Sequence, residues 1–312
     1  MGKIAFLFSG QGAQFAGMGK DLSENMDICE KVFEDADNSL GFPISRMCFE
    51  GPQEELNKTE NTQPAILTTS IAALRALESF GIKADITAGL SLGEYSALVC
   101  SGAMEFKEAV ALVKKRGRYM QEAVPEGVGT MAAIIGLDYI TVKNVCEACK
   151  TSGVVEPSNV NCPGQIVIGG EVKAVETACK ILKEKGARRA IKLSVSAPFH
   201  TSMLKPAAEK LELELKKIKI KEFSIPVVTN VTGEIIKSSR DIKALLKKQV
   251  MSTVLFEKCI NTMLEAGADT FVEIGPGKVL SGFVKRIDRK ATLLNVQDVD
   301  SLKNTVEVLK NR

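Results

Sequence analysis

The sequence lacks tryptophan and has one histidine and few aromatic residues, and these shortages exclude several classes of function. Aromatic residues make up 5% of the 312 residues, too few for the stacking platforms that bind single-stranded nucleic acids. No apolar run approaches the roughly 20 residues that a membrane-spanning helix needs. We therefore expect a protein that binds neither nucleic acid nor a membrane.

The net charge and the cysteine content limit the class of protein further. The net charge is +3 and 45% of the residues are apolar, a balance typical of a soluble globular protein with a sizeable core. Eight cysteines are too sparse for a disulfide scaffold, so we expect reduced thiols and a cytoplasmic location. Cys146 and Cys149 form a single C-x-x-C pair with no histidine nearby, and we expect no metal site.

Apolar runs of strand character alternate with stretches of helical periodicity, which predicts an α/β fold. After a break at Pro125 the order becomes strand-helix-strand-strand-helix-strand, which is typical of a ferredoxin-like unit. We therefore expect a main domain of residues 1–124 and 197–312 and an inserted ferredoxin-like domain of residues 125–196. The predicted strands are Lys3–Phe8, Asp85–Leu90, Gly129–Ile135, Val154–Val160, Gln165–Gly169, Ala190–Val195, Ile225–Asn230, Thr270–Ile274 and Thr292–Val296. The predicted helices include Pro64–Ser79, Leu92–Ser101, Phe106–Ala123, Tyr139–Lys150, Val172–Lys185 and one from about Val254 to Ala266.

The residues from Gly89 to Gly93 match the pattern G-x-S-x-G between a predicted strand and a predicted helix. Such a turn strains the backbone of Ser91 and exposes its hydroxyl at a helix N-terminus, where free N–H groups favour negative charge. A glycine-rich turn with a serine helix cap is the alternative, but the flanking strand and helix favour a nucleophile. The residue after such a serine commonly donates one N–H to an oxyanion, which makes Leu92 a candidate.

A nucleophilic serine needs a general base, and His200 is the only histidine available. A lone histidine is more often structural, but this one lies where the inserted segment returns to the main domain, and clefts form at such junctions. The loop after the first strand fails the dinucleotide-binding pattern, because Phe15 stands where the third glycine belongs. We expect the backbone N–H of Gln11 in this loop to be the second oxyanion donor. No acidic residue stands out as a third catalytic member.

Arg116 falls within the apolar arc of the predicted helix Phe106–Ala123, one turn before Met120. An inward guanidinium keeps its charge and needs an anion. The sequence leaves two interpretations open: a structural salt bridge with an Asp or Glu elsewhere, or a bidentate clamp for a substrate carboxylate.

These residues resemble one family over nearly the whole chain, the malonyl-coenzyme A (CoA):acyl carrier protein transacylases of bacterial fatty-acid synthesis. The matching stretches are Phe8 to Gln14, Thr62 to Ala65, Gly89 to Leu98, Arg116 with Met120 to Ala123, Asn161 to Gln165, His200 with Lys205 to Ala207, and Glu273 to Gly277. The resemblance implies an α/β-hydrolase-like core with a ferredoxin-like insert. It also implies malonyl-CoA and the phosphopantetheine of acyl carrier protein as substrates, with no permanently bound cofactor.

The resemblance further implies a role for each site residue. It makes Ser91 the acylated nucleophile, His200 its base and Arg116 the partner of the malonyl carboxylate. The remaining implied roles are oxyanion donation by the N–H groups of Gln11 and Leu92, orientation of the histidine by the backbone carbonyl of Gln249, and substrate binding by Gln63, Asn161 and Phe199.

Two positions of the chain matter in the comparison with the family pattern, Leu90 and Phe199, and the family leaves related functions open. Many members have a histidine where this chain has Leu90, so any auxiliary role of that imidazole is absent. In related polyketide acyltransferases, a phenylalanine at the position of Phe199 accompanies malonyl rather than methylmalonyl. The alternatives are an acyltransferase that serves a polyketide synthase, a serine hydrolase or thioesterase, and a nucleotide-binding module.

Overall fold

A computed structural model of the chain describes residues 2–193, 195 and 197–312. In these ranges two β-sheets are covered by helices. The strands are β1 (Lys3–Phe8), β2 (Ile86–Gly89), β3 (Gly129–Ile135), β4 (Val155–Cys162), β5 (Gln165–Glu171), β6 (Arg189–Lys192), β7 (Val227–Val228), β8 (Ala268–Ile274) and β9 (Thr292–Val296).

One or more helices separate each successive pair of these strands except β4 and β5. They are α1 (Lys20–Asn25), α2 (Asp27–Leu40), α3 (Ile44–Glu50), α4 (Gln53–Leu56), α5 (Thr59–Ser79), α6 (Gly93–Cys100), α7 (Phe106–Glu122), α8 (Tyr139–Ala148), α9 (Val172–Glu184), α10 (Lys205–Lys217), α11 (Ile242–Val250), α12 (Phe256–Glu265), α13 (Val279–Ile287) and α14 (Val299–Lys310). Short 3₁₀ turns cover Cys149–Ser152, Ser202–Leu204 and Ser239–Asp241.

The larger sheet is parallel and has the strand order β7-β2-β1-β8-β9. Its central strand is apolar on both faces: Phe6 and Phe8 pack into one core cluster, and Ala5 and Leu7 pack into another. Successive side chains of a strand point to opposite faces, so a continuous apolar run requires cover on both sides. Helices supply that cover, and the carboxyl ends of β1 and β2 lead into the loops that carry Gln11 and Ser91.

The smaller sheet is antiparallel, with the order β4-β5-β3-β6. Its elements follow one another along the chain as strand, helix, two strands, helix and strand. Helices α8 and α9 pack against it through a separate apolar cluster. The chain enters this layer after α7 and leaves it just before His200, so the site residues come from segments on both sides of the excursion.

The predicted α/β class is confirmed, and three elements differ most from their predicted bounds. Helix α5 begins at Thr59 rather than Pro64, because the proline lies one turn inside the helix and its missing N–H removes only one early hydrogen bond. Strand β7 is only two residues long, because the next residues turn away to contact Glu94. The predicted strand Ala190–Val195 is observed as β6 to Lys192, and Ser194 lies outside the described residues.

None of the described helices combines the length and the apolar character needed to cross a membrane. All eight cysteines are free thiols, including Cys146 and Cys149. Among the described residues, no three His, Cys, Asp or Glu side chains are grouped so as to hold a metal ion.

Candidate active site

Ser91 lies in the turn between β2 and α6 and has a φ of 52°, in the left-handed region that few non-glycine residues adopt. The turn is tight because its flanking residues lack side chains. A Cβ on Gly89 would lie 1.9 Å from the carbonyl carbon of Gly93, and one on Gly93 would lie 2.1 Å from the Phe8 oxygen. Both glycines are therefore required for the strand, turn and helix to approach so closely.

Ser91 and His200 form a hydrogen-bonded pair. The Oγ of Ser91 lies 2.7 Å from the Nε2 of His200, and the Nδ1 of His200 lies 2.8 Å from the backbone oxygen of Gln249. A carbonyl oxygen only accepts, so Nδ1 carries the proton and Nε2 is free to accept the proton of the serine hydroxyl. His200 has a φ of 61°, and among the non-glycine residues in the described ranges it shares this region only with Ser91.

His200 is held neutral. Burial and then the nearby positive charge of Arg116 lower its pKa from the usual 6.5 to about 3, against the opposing effect of its hydrogen bond to the Gln249 carbonyl. Both causes disfavour the imidazolium form. The imidazole of the resting protein is therefore ready to accept a proton over the whole physiological pH range.

This lowered pKa predicts how acylation depends on pH. Between pH 8 and pH 5 the rate at which Ser91 is acylated is expected to stay constant within about twofold, since His200 stays neutral until the pH falls towards its folded-state pKa. Stopped-flow acylation at a series of pH values checks this rate, and a rate that halves near pH 6.5 would contradict the prediction.

The same lowered pKa predicts how the stability of the fold depends on pH. Below about pH 6.5 the unfolded chain binds a proton at this histidine and the folded chain does not. The free energy of unfolding therefore falls as the pH drops from 6.5 towards 3, the opposite of the effect of a salt-bridged histidine.

Arg116 is 1% exposed and lies beside the nucleophile. Its Nη2 donates to the Ser91 Oγ at 3.1 Å and to the Gln249 Oε1 at 3.0 Å, while its Nη1 donates to the Gln63 Oε1 at 2.8 Å. No ion pair in the described part of the chain includes this guanidinium. The buried cation is thus held by amide oxygens and not by a carboxylate, so the salt bridge considered from the sequence is not formed.

Two further residues hold the serine turn, and the sequence analysis assigned a role to neither. Asn230 accepts from the Ser91 N–H at 2.7 Å through Oδ1 and donates to the Gly89 oxygen at 2.7 Å through Nδ2. Glu94, fully buried, accepts from the Asn230 N–H at 2.9 Å. The sequence carries one signal for Glu94, which is the only charged residue of the apolar helix α6. Asn230 has no comparable signal.

A cleft of about 350 Å³ opens onto Ser91 and His200. It is also lined by four other residues that the sequence analysis selected: Gln11, Gln63, Asn161 and Phe199. Leu92 is buried in the core and does not line this cleft. Within the described ranges neither the backbone N–H of Leu92 nor that of Gln11 donates to a protein acceptor. The Oδ1 of Asn161 is buried and has no hydrogen-bond partner among the described residues.

Comparison with known proteins places this geometry in a family. Residues 5–304 match the model of the acyl transferase domain. The chain is 50% identical over 311 residues to the malonyl CoA-acyl carrier protein transacylase of Bacillus subtilis, covering 99% of this chain and 98% of that protein. The chain belongs to the malonyl CoA-acyl carrier protein transacylase family of acyl transferases.

Two solved structures show how closely this acyl transferase follows its relatives. The malonyl CoA-acyl carrier protein transacylase of Clostridium perfringens is 52% identical, with a TM-score of 0.97 over 99% of this chain and 98% of that one. A malonyl-transacylase solved in complex with the acyl-carrier protein of a type II polyketide synthase (PKS) is 43% identical, with a TM-score of 0.95 over 98% of this chain and 99% of that one.

Proposed function

We propose that this acyl transferase moves a malonyl group from malonyl-CoA to the phosphopantetheine thiol of acyl carrier protein, through a malonyl ester on Ser91, and so supplies fatty-acid biosynthesis. One observation carries the choice of acyl group: the Ser91 hydroxyl is 3.1 Å from a buried guanidinium that has no carboxylate partner among the described residues. A serine hydrolase needs no such cation, whereas an acyl group with a free carboxylate pairs with it in a bidentate arrangement. The family relatives, named for this transfer, support the proposal.

The first half-reaction makes the acyl-enzyme. The Nε2 of His200 removes the proton from the Ser91 hydroxyl, and Oγ attacks the thioester carbon of malonyl-CoA. The oxyanion accepts from the N–H groups of Gln11 and Leu92, each worth roughly 2.7–4 kcal/mol of transition-state stabilisation. When the intermediate collapses, the carbon–sulfur bond breaks and the CoA thiolate takes the proton from His200.

The second half-reaction repeats these steps with a different thiol. His200 takes the proton of the phosphopantetheine thiol, whose sulfur attacks the ester carbon, and the departing Ser91 Oγ recovers a proton from the imidazolium. The Gln249 carbonyl keeps the ring in the required tautomer, and Arg116 holds the malonyl carboxylate throughout, helped by Gln63. Asn161 and Phe199, which line the cleft, complete the acyl and pantetheine binding site.

We also propose the finer description of the fold and its setting. The antiparallel layer is a ferredoxin-like insert of residues 125–196, because its strand order and its chain order both fit that unit, and the remainder is an α/β-hydrolase-like core. Eight free thiols support a cytoplasmic location. The chemistry uses only side chains and backbone groups, so the proposal includes no bound cofactor.

Service to a polyketide synthase is the second candidate. The relative solved with the carrier protein of a type II PKS is 43% identical over nearly the whole chain, and both pathways use the same acyl transfer. Phe199, a buried residue that lines the cleft, is consistent with a malonyl group in either case. Transfer rates to the two kinds of carrier protein separate the candidates.

The lifetime of the acyl-enzyme tests transfer against hydrolysis. Mixing the protein with malonyl-CoA is expected to add one malonyl group to Ser91, stable for minutes in water and lost within seconds when phosphopantetheinylated acyl carrier protein is added. The physical reason is that a transferase excludes water from its ester and admits a thiol. Intact-mass spectrometry follows both steps, and the Ser91→Ala variant is the control without an adduct. Loss of the malonyl group to water at the same rate with and without carrier protein would identify a hydrolase instead.

A further inference from the structure

Glu94 is a carboxylate with no exposed surface, placed one turn after the nucleophile. It accepts three side-chain or backbone hydrogen bonds: from the Thr229 Oγ1 at 2.8 Å, the Asn230 N–H at 2.9 Å and the Gln249 Nε2 at 2.7 Å. A buried carboxyl group is costly unless it is paired, and no ion pair in the described ranges includes Glu94. The cost of burying Glu94 without an ion-pair partner suggests that this carboxyl group has a role in the site.

The partners of Glu94 hold both peptide groups of Ser91. The Oδ1 of Asn230 accepts from the Ser91 N–H at 2.7 Å, and the Nε2 of Gln249 donates to the Ser91 oxygen at 3.0 Å. These two bonds fix the peptide planes on either side of the strained φ of 52°. Glu94 therefore acts on the nucleophile through Asn230 and Gln249, and it contacts none of the reacting atoms.

The same carboxylate decides which way the Gln249 amide faces. Because its Nε2 donates to Glu94 and to the Ser91 oxygen, its Oε1 is left to accept from the Arg116 Nη2 at 3.0 Å. The reversed amide would place N–H groups against the guanidinium and an oxygen against the carboxylate, which is unfavourable at both ends. Glu94 thus fixes the oxygen that holds the guanidinium beside Ser91.

Glu94 and Arg116 are also two buried ionisable groups of opposite sign on either side of this one amide. Burial raises the pKa of the Glu94 carboxyl above its usual value, while its three hydrogen-bond donors and the positive charge of Arg116 oppose that rise and favour the carboxylate. The attraction between these two groups acts where water is excluded and screening is weak. A malonyl carboxylate that enters the cleft would compete with the Glu94 carboxylate for electrostatic attraction to the positive charge of Arg116. We propose that Glu94 is a positioning residue that, through the Gln249 amide, balances the charge of Arg116 in the empty site and so limits how tightly a carboxylate-bearing acyl group is held.

This proposal rests on the proposed function, and the variant Glu94→Gln tests it. Glutamine keeps the shape: its Oε1 accepts from Asn230 and Gln249, and its amide group faces the Thr229 hydroxyl, which is able to accept. Only the charge is lost. Equilibrium binding of malonyl-CoA and acetyl-CoA is measured by calorimetry on Ser91→Ala and on the same protein with Glu94→Gln added, so that no acyl transfer occurs. We expect the Kd of malonyl-CoA to fall about fivefold and the Kd of acetyl-CoA to stay within about 1.5-fold.

A control and a second variant complete the test. Glu257→Gln removes a part-buried carboxylate of α12 outside this network and is expected to change neither Kd. Thr229→Val removes one donor from the Glu94 carboxylate, which favours its neutral form, and is expected to shift malonyl-CoA binding in the same direction by a smaller factor. Thermal unfolding of each variant shows that the folded protein is being compared.

The outcomes separate the two proposals. A Kd for malonyl-CoA that is unchanged in both Glu94→Gln and Thr229→Val, or equal changes for malonyl-CoA and acetyl-CoA, would overturn the inference and leave Glu94 as a residue that only supports the turn. Failure of the wild-type protein to form a malonyl ester on Ser91 would overturn the proposed function instead, and it is observed without any Glu94 variant.

Discussion

The His200→Ala variant is expected to acylate Ser91 from malonyl-CoA about 10³ times more slowly than the wild type, the middle of the range for loss of a general acid–base group. The Nε2 of His200 is 2.7 Å from the serine oxygen, and the Gln249 carbonyl fixes its tautomer. Without the ring the hydroxyl must lose its proton to water. The proposed oxyanion donors of Gln11 and Leu92 remain, so we expect some reaction to survive.

Single-turnover mass spectrometry measures this rate, because it counts the malonyl adduct directly. The alanine variant removes a buried side chain, so its melting temperature is measured beside the wild type. Added imidazole is expected to restore part of the rate by entering the space left by the ring. A rate within tenfold of the wild type in a folded His200→Ala protein would mean that another group accepts the proton, and the proposed mechanism would be wrong.

The Arg116→Ala variant is expected to lose at least tenfold in kcat/KM for malonyl transfer while acetyl transfer is retained or improved. A charged hydrogen bond contributes roughly 1.5–3 kcal/mol, and a guanidinium offers two of them to a carboxylate. An acetyl group has no carboxylate and loses nothing by the change. The ratio of the two kcat/KM values is therefore the diagnostic quantity, since it cancels any general damage to the site.

The same helix offers a matched control for this variant. Arg118 lies two residues further along α7, with half its side chain exposed and a 3.8 Å ion pair to Glu122. Arg118→Ala is expected to leave both kcat/KM values within about twofold, as exposed ion pairs contribute little. Equal losses of malonyl and acetyl transfer in Arg116→Ala would reduce Arg116 to a residue that orders Ser91 and Gln249.

The sequence predicts the parts of the site that local pattern encodes. Ser91 is predicted from its flanking glycines, since the tight turn leaves no room for side chains there. Arg116 is predicted because it is a charged residue on the apolar face of one helix. His200 follows from counting, because the chain has a single imidazole. Each inference needs only a short window of residues, or the composition of the whole chain.

The remaining contacts depend on distant segments meeting. Gln249 acts on His200 through its backbone oxygen, which every residue type possesses, so only the family resemblance suggested it. Asn230 reaches the serine turn across 139 positions, and nothing in its neighbours indicates that partner. The length of β7 was overestimated for the same reason, since Thr229 and Asn230 leave the sheet to bind Glu94, a contact invisible to periodicity.

The strand order of the parallel sheet affects the order in which the two sheets can form during synthesis on the ribosome. Of the two neighbours of the central strand β1, β2 follows after helices α1 to α5, whereas β8 is made only after the whole antiparallel layer. The antiparallel layer spans Gly129 to Lys192 without interruption and so has all its strands available much earlier. Since nascent chains fold as segments emerge, the antiparallel layer has all its strands before the parallel sheet does, and one edge of the apolar strand β1 stays unpaired until β8 is made.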